Sequence, residues 1–359
     1  MVILSICFVF SPLVKLLRKI LFPFALIYSF ITIVRNWLYD KNIFKVSRFK
    51  LPIILVGNLS VGGTGKSPQI EYLIRLLQPN KKVAVLSRGY KRASKGFILA
   101  NDESTAELIG DEPYQFFRKF KNIIVGVDAN RVHGVQQLLE LNRSPDVILL
   151  DDAYQHRRIK AGLTILLTAY NDLFVDDYLL PLGNLRENKS GAKRAQVIIV
   201  TKCPENLSEA TQLKIVSKLN SEKGQQVFFT TVAYNTKLQG NINEIDIEKL
   251  KGETVVLVTG IANPVPLTNY LKQREIKFVH LKYPDHHHFT AKDIAHIEDA
   301  RKNLVSKNKI VLTTEKDYVR IFAKLKNLYF IEIETKFLDD TNKFDNIVNA
   351  YVEQSSGNS

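Results

Sequence analysis

Residues 51–68 read LPIILVGNLSVGGTGKSP, and this stretch decides the fold. An apolar run typical of a buried strand leads into a glycine-rich turn, which ends in Gly65-Lys66-Ser67 and is followed by a helical pattern. Glycines let backbone N–H groups close around phosphate oxygens, and the start of a helix adds positive potential. The order of strand, glycine-rich turn and helix therefore predicts a nucleotide-binding phosphate loop.

The phosphate-binding residues that this pattern predicts are Ser60, Val61, Gly62, Gly63, Thr64, Gly65, Lys66 and Ser67. The usual pattern begins with Gly, and here Ser60 stands at that position. We expect Lys66 to reach the β- and γ-phosphates and the Ser67 hydroxyl to bind Mg²⁺. A glycine-rich turn with an incidental Lys-Ser pair is the alternative, which the flanking strand and helix make less favourable.

A second acidic element, Asp151-Asp152, stands at the end of the apolar run at 147–150. A carboxylate there can hold Mg²⁺ directly or through water and so complete a nucleotide–metal site. The two acids are alternatively helix caps or solvated turn residues, and the sequence does not divide the metal role between them. Guanine recognition needs Asp where this chain has Pro204, and the pattern therefore favours ATP over GTP.

The rest of the chain alternates short apolar runs with helical patterns, which is typical of a parallel sheet covered on both faces. Candidate strands lie at 52–56, 83–86, 123–127, 147–150, 163–168, 197–201 and 227–232, and candidate helices at 67–77, 130–141 and 208–220. A second series has strands near 254–258, 276–280, 310–313 and 328–333, with helices near 290–303 and 342–352. We therefore predict a P-loop NTPase-like α/β domain over 51–245 and a smaller α/β domain over 246–359, joined through the polar segment 234–251.

The first fifty residues differ from the rest because they are both apolar and basic. They carry eight Lys and Arg and one Asp, so their net charge of +7 is half of the +14 of the whole chain. An apolar stripe runs along Leu13, Leu16, Leu17, Ile20, Leu21, Phe24, Tyr28 and Ile31, with Lys15, Arg18 and Lys19 off it. This pattern predicts a membrane-associated helical segment at 1–50, lying on anionic lipid or crossing the bilayer. A signal peptide and a buried core helix are the alternatives.

Composition narrows the possible classes of protein. The 359 residues are 45% hydrophobic and 24% charged, which excludes wholesale disorder. The only cysteines, Cys7 and Cys203, exclude a disulfide framework and a multi-Cys zinc site. The basic charge alone is compatible with nucleic acid, but half of the excess lies in the apolar N-terminus and no nucleic-acid-binding motif appears, so we expect no nucleic-acid partner. No obligate protein partner is evident from the sequence.

The order of short motifs resembles the tetraacyldisaccharide 4′-kinase family, the lipid A 4′-kinases of Gram-negative bacteria. The matching pieces are VGNLSVGGTGKSP at 56–68, SRGY at 87–90, GDEPY at 110–114, DANR at 128–131, DDAYQHR at 151–157, PLGNLRE at 181–187, TGIANP at 259–264, YPDHHHF at 283–289 and TTEKD at 313–317. Lys91, where Gly is common, the Ala153-Tyr154 pair and a third consecutive His depart from the pattern.

The resemblance implies transfer of the γ-phosphoryl group of ATP, with Mg²⁺, to the 4′-hydroxyl of a tetraacyldisaccharide 1-phosphate, giving lipid IVA. It also implies that the protein acts at the cytoplasmic face of the inner membrane. The roles it implies are a base at Asp111, tuned by His286 or by His287, phosphate neutralisation by Arg131, and acceptor contacts from Asn58, Arg88, Tyr90, Arg186 and Glu187.

A different class of protein shares the GGTGKS spacing. Deviant P-loop ATPases act as partner-regulated switches, and a membrane-associated switch is the alternative interpretation of this chain. That group carries a signature Lys where this chain has Val61, which disfavours the switch.

Overall fold

The computed structural model describes residues 21–285, 287–306, 308–321, 325–338 and 340–356. Contacts divide the chain into two compact units. Residues 233–334 form the smaller unit, and the described residues of 21–232 and 335–356 form the larger one.

The larger unit is built on a nine-stranded sheet. Its strands are β1 (Ile53–Asn58), β2 (Val83–Ser87), β3 (Ile98–Leu99), β4 (Ile124–Val127), β5 (Val147–Asp151), β6 (Leu163–Ala169), β7 (Val197–Thr201), β8 (Gln226–Tyr234) and β15 (Ile333–Phe337). They lie in the order β15-β8-β7-β6-β1-β5-β2-β4-β3. The pairs from β8 across to β4 are parallel, and β3 is antiparallel to β4.

Helices cover both faces of this sheet, which confirms the predicted P-loop-type architecture. They are α1 (Phe22–Asp40), α2 (Lys66–Leu77), α3 (Ala106–Ile109), α4 (Asp111–Lys119), α5 (Arg131–Leu139), α6 (Glu209–Leu219) and α10 (Thr341–Ser356). Because strand side chains alternate between faces, Ile53 and Leu55 of β1 enter one buried cluster with α5, whereas Ile54 and Val56 enter another with α2.

The smaller unit has a six-stranded sheet in the order β10-β9-β14-β13-β11-β12. Its elements are β9 (Lys237–Gly240), β10 (Glu244–Asp246), β11 (Thr254–Thr259), α7 (Val265–Gln273), β12 (Lys277–Lys282), α8 (Ala291–Lys302), β13 (Val311–Thr314), α9 (Glu315–Ile321) and β14 (Leu328–Ile331). Strands β11 to β14 are parallel to their neighbours in this group. The expected polar connection at 234–251 instead contains the antiparallel pair β9–β10.

The boundaries of the two units differ from the domain boundary that the sequence predicts near residue 245 in two respects. The smaller unit begins at residue 233, and the C-terminal helix α10 belongs to the larger unit. Phe344, Val348 and Val352 recur every four residues along α10 and are buried in the core beside α2. The hydroxyl of Tyr351 also bonds the backbone of Ile53 in β1. A long-range contact of this kind leaves no local trace in the sequence.

Helix α1 has one face on the protein and a broad apolar face towards solvent. The exposed apolar side chains are Phe22, Phe24, Leu26, Ile27, Phe30, Ile31, Ile33, Val34 and Trp37. Tyr28 belongs to the predicted apolar stripe, but in the structure it lies on the protein side of α1. Its hydroxyl donates a 2.7 Å hydrogen bond to the backbone carbonyl of Arg186. The part of that stripe at 13–20 lies outside the described residues. Among the described residues, no helix combines the length and apolar content needed to cross a membrane.

Candidate active site

The phosphate loop joins the end of β1 to the start of α2 at the carboxyl edge of the sheet. Gly62 and Gly65 have φ values of +120° and +85°, which side chains rarely adopt. Gly65 directly precedes Lys66, the first residue of α2, so the positive end of the helix faces the loop. The backbone N–H of Val61 donates to Asn184 at 2.8 Å and is therefore not available to a phosphate.

Strand β7 holds the loop from its other side. The hydroxyl of Thr201 donates to the carbonyl of Thr64 at 2.8 Å, and the ammonium of Lys202 bonds the carbonyl of Gly63. The hydroxyl of Thr64 itself is buried without a hydrogen-bond partner among the described residues. A buried hydroxyl of this kind is costly unless a ligand satisfies it, which fits a phosphate-binding loop.

Lys66 lies within a compact polar cluster. Its ammonium is 3.4 Å from the side-chain oxygen of Asn58 and 3.8 Å from a carboxylate oxygen of Asp152. Arg186 contacts both oxygens of Asp152, at 2.8 and 3.2 Å, and also bonds Asn58. The structure thus brings together Lys66, predicted to bind phosphate, Asp152, predicted to bind metal, and the predicted acceptor residues Asn58 and Arg186.

The two consecutive acids have opposite environments. Asp151 is buried at the end of β5 and accepts a 2.7 Å hydrogen bond from the hydroxyl of Ser87. Burial, followed by the nearby charges of Glu112 and Asp152, raises the pKa of Asp151 to about 7. Burial also opposes ionisation of Asp152, but the charges of Lys66 and Arg186 outweigh it and lower the Asp152 pKa.

The residues present fit Mg²⁺ bound together with a nucleotide. One carboxylate oxygen of Asp151 is buried and has no hydrogen-bond partner among the described residues. Within that part of the chain, no group of three or more His, Cys, Asp and Glu is arranged to hold a metal ion. Mg²⁺ characteristically uses one or two carboxylates together with substrate phosphates and water, so a site completed by ATP suits this arrangement.

Glu112 is a candidate site residue that the sequence analysis missed. It follows Asp111 at the start of α4, and its carboxylate accepts a 2.6 Å hydrogen bond from the Ser67 hydroxyl. Both acids are half-buried and follow Gly110, whose φ is +97°. The signal available in the sequence was the second acid of GDEPY, but its partner is 45 residues away along the chain.

Arg131, for which the resemblance implies neutralisation of phosphate charge, contacts backbone carbonyls in this structure. It is buried at 2% exposure and donates to the backbone carbonyls of Asp128 and Asp151. Burial lowers its pKa to about 10, although the charge of Asp151 opposes this shift. In this structure Arg131 joins the ends of β4 and β5. Burial and the charge of Arg131 also lower the pKa of His156 to about 4, so that this ring is neutral at pH 7.

Glu187 is fully buried beside the site and connects three other side chains through its carboxylate. Its carboxylate accepts hydrogen bonds from Asn36 at 3.1 Å, Gln155 at 3.0 Å and Arg194 at 2.9 Å. It therefore links helix α1 to the segment after the acid pair, and the acceptor role that the resemblance implies for Glu187 stays a prediction.

The remaining predicted residues are Arg88, Tyr90, His286 and His287. Arg88 and Tyr90 are exposed on the loop that follows β2. His286 lies outside the described residues. His287, in the smaller unit, stacks on Tyr283 and is 3.0 Å from a carboxylate oxygen of Asp293. That carboxylate also completes the predicted capping box with Thr290.

Three comparisons bear on this site. The family model for tetraacyldisaccharide-1-P 4′-kinase matches residues 17–353. Relatives named tetraacyldisaccharide 4′-kinase include one from Flavobacterium johnsoniae, 51% identical over 95% of this chain and 99% of its own. Another, from Bacteroides thetaiotaomicron, is 43% identical over 96% of this chain and 95% of its own. The crystal structure of LpxK from Aquifex aeolicus in complex with ATP matches 94% of this chain and 99% of its own, with a TM-score of 0.76 and 30% identity.

Proposed function

The chain belongs to the tetraacyldisaccharide-1-P 4′-kinase family, and we propose that it phosphorylates its lipid acceptor through the site built on the phosphate loop. The enzyme transfers the γ-phosphoryl group of ATP to the 4′-hydroxyl of tetraacyldisaccharide 1-phosphate, giving lipid IVA in lipid A biosynthesis. The family match favours this kinase over the partner-regulated ATPase switch considered as the alternative.

The observation that carries the proposal is the convergence of the phosphate loop and the acid pair. Lys66 begins α2 and lies 3.8 Å from Asp152, which continues from β5. Strands β1 and β5 are adjacent and parallel, so their carboxyl ends place a cation and two carboxylates side by side. Phosphoryl transfer depends on positioning and charge neutralisation, and this arrangement supplies both.

Within this site, Lys66 and the loop backbone hold the triphosphate. Ser67 and Asp151 are the groups that would hold Mg²⁺, with Glu112 beside Ser67, and Mg²⁺ supplies neutralisation of charge on the phosphates. The charges of Lys66 and Arg186 favour the ionised form of Asp152, and Arg186 orients its carboxylate beside Lys66.

Asp111 is the proposed base for the acceptor hydroxyl. A sugar hydroxyl is a weak nucleophile near pH 7, and a carboxylate that accepts its proton assists the attack. Asp111 is adjacent in sequence to Glu112, whose carboxylate contacts Ser67 of the phosphate loop at 2.6 Å. This places the start of α4 beside the loop that would hold ATP.

We also propose that α1 attaches the enzyme to the cytoplasmic face of an anionic inner membrane. One side of α1 is tied to the larger unit through Tyr28 and Asn36, and Asp40 pairs with Arg157 at 2.6 Å. The other side presents large apolar side chains to solvent, which is the pattern of an interfacial helix. An acceptor that carries acyl chains gives such a helix a function.

The kinase activity is tested with detergent-solubilised protein, [γ-³²P]ATP and purified tetraacyldisaccharide 1-phosphate. We expect Mg²⁺-dependent label in the lipid product, and about a thousandfold lower rate in Lys66→Ala, because the lysine charge on the phosphates is lost. Lys223→Met, at an exposed position remote in sequence from the loop, is the matched control. If the wild-type chain does not transfer phosphate to the acceptor, or if Lys66→Ala keeps full activity, this assignment is wrong.

A further inference from the structure

The end of the motif DDAYQHR, at 155–157, makes contacts to which the sequence analysis assigns no role. Arg157 lies against the C-terminal end of α1, where its guanidinium donates to the backbone carbonyl of Asn36 at 2.9 Å and pairs with the carboxylate of Asp40 at 2.6 Å. The same guanidinium lies 5.2 Å from the centre of the Tyr39 ring. Arg157 therefore holds this end of α1 on the larger unit.

The chain that follows α1 contacts the same segment. The backbone N–H of Ser47 donates to the carbonyl of Arg158 at 2.8 Å, and the N–H of Lys160 donates to the carbonyl of Ser47 at 3.0 Å. These bonds form a short parallel bridge between Ser47 and Ile159. Residues 157–160 are thus the place where α1 and its continuation are attached, and we call them the α1 seat.

Gln155 connects the α1 seat with the start of the phosphate loop. Its side-chain amide donates to the backbone carbonyl of Asn58 at 2.9 Å and to the carboxylate of Glu187 at 3.0 Å. Glu187 in turn accepts a 3.1 Å hydrogen bond from Asn36 of α1. Helix α1 is therefore joined to Asn58 both along the backbone from Arg157 to Gln155 and through the carboxylate of Glu187.

Asn58 contacts both ends of the phosphate loop. It is the last residue of β1 and is fully buried. Its amide nitrogen donates to the carbonyl of Ser60 at 2.8 Å, and its side-chain oxygen lies 3.4 Å from the ammonium of Lys66. A displacement of Asn58 would therefore move the group that orients Lys66, and rates of group transfer fall steeply when a reacting or charged group is misplaced by about 1 Å.

We propose that Arg157 is a positioning residue for phosphoryl transfer, which acts on Lys66 through Gln155 and Asn58. The inference rests on the proposed kinase function, because the predicted effect is on the turnover of that reaction. Helix α1 then has two separable functions. Its exposed apolar side contacts lipid, and its opposite side steadies the residue that braces the phosphate loop. Arg157 acts through this network and not by contact with either substrate.

The test measures kcat, the KM for the acceptor and flotation with phosphatidylglycerol vesicles. In Arg157→Gln we expect kcat to fall about fivefold to tenfold, because α1 is no longer held at its C-terminal end, with the acceptor KM and flotation unchanged. Arg157→Lys keeps a cation opposite Asp40 and should restore part of the rate. Lys218→Gln, which breaks an exposed 2.7 Å ion pair with Asp176, is the matched control and should leave kcat, KM and flotation unchanged.

A double-mutant cycle with Asn58→Ala tests the path of this effect. If Arg157 acts through Asn58, adding Arg157→Gln to Asn58→Ala should change kcat by less than about twofold, although Arg157→Gln alone lowers it more. A further loss as large as the loss in the single variant would show that the two residues act independently, and the proposal would be wrong. Loss of flotation, or a rise in the acceptor KM at constant kcat, would contradict it too, because Arg157 would then act in membrane attachment or acceptor binding.

Asp40→Asn provides the same cycle if Arg157→Gln lowers the Tm. It removes the ion pair at an exposed carboxylate and keeps the bond from Arg157 to Asn36, so we expect kcat to fall about threefold without a change in Tm. A wild-type kcat in Asp40→Asn would contradict the positioning role. The wild-type rate is measured first, since its absence contradicts the kinase function itself, whereas equal rates in the wild type and Arg157→Gln contradict the positioning role alone.

Discussion

The guanidinium of Arg186 donates to both carboxylate oxygens of Asp152, at 2.8 and 3.2 Å. Asp151, one residue earlier, has one oxygen bonded to Ser87 and the other without a partner among the described residues. The acid pair is therefore unequal. Asp152 is committed to Arg186 and Lys66, whereas Asp151 keeps a buried oxygen that a cation can satisfy.

Replacing Arg186 tests the first half of this relationship. In Arg186→Gln, Asp152 keeps its 3.8 Å ion pair with Lys66, and we expect the lysine to be drawn from the phosphates towards the carboxylate. The kcat should fall by about one to two orders of magnitude, measured by steady-state kinetics with saturating ATP. Lys193→Gln, which breaks an exposed 2.7 Å ion pair with Glu222, should leave the rate unchanged. Equal rates for Arg186→Gln and the wild type would contradict this role.

The raised pKa of Asp151 predicts a pH-dependent requirement for Mg²⁺. Below about pH 7 the carboxyl group is protonated and binds the cation weakly, so the Mg²⁺ concentration for half-maximal rate should rise as the pH falls. In Ser87→Ala the hydrogen bond that favours the ionised form is lost, and the inflection should move to higher pH. An inflection at the same pH in both proteins would show that another group is titrating.

Asp151 should also destabilise the metal-free protein. Its pKa is raised above the ordinary 3.8, so the folded state binds a proton more tightly than the unfolded state. Stability is therefore lost as the pH rises from about 4 through about 7. We expect Asp151→Asn to be inactive. Without Mg²⁺, its Tm should be roughly 3 °C higher than that of the wild type at pH 8, and the two Tm values should be about equal at pH 4. A lower Tm for the variant at pH 8 would refute this charge-burial effect.

Asp111 and Glu112 should respond differently to neutralisation. Asp111→Asn should lower kcat by about a hundredfold with little change in the KM for ATP, because it removes the proposed base. Glu112→Gln should chiefly raise the Mg²⁺ concentration needed for half-maximal rate, because its carboxylate contacts Ser67. Titrations of Mg²⁺ and ATP with both variants separate the effects. Identical kinetic profiles would mean that the two acids act as one unit.

The exposed side of α1 should decide membrane attachment. Phe24 and Phe30 are 62% and 69% exposed, so replacing both with Ser should reduce flotation with phosphatidylglycerol vesicles by about tenfold or more without lowering Tm. Leu213→Ser on α6, at 63% exposure, is a matched control for a single exposed apolar residue. Unchanged flotation of the double variant would place the membrane contact elsewhere in the chain.

The local features of the larger unit were accessible from sequence. The strand, glycine turn and helix around Lys66 lie where they were predicted, and so does the acid pair at the end of β5. Strand and helix formation follow from short-range apolar periodicity and from glycines that accept positive φ. The composition of α1 likewise predicted an apolar helix, although Tyr28 proved to face the protein.

The contacts that define the site required the tertiary structure. Glu112 meets Ser67 across 45 residues, and Arg186 meets Asp152 across 34. These distances along the chain are closed by the sheet order, in which β1 lies between β5 and β6. The sequence by itself determined the chemical groups and the local elements that carry them. Only the packing of the strands decided which carboxylate is neutralised by Arg186 and which keeps an unpartnered oxygen, because that depends on neighbours distant in sequence.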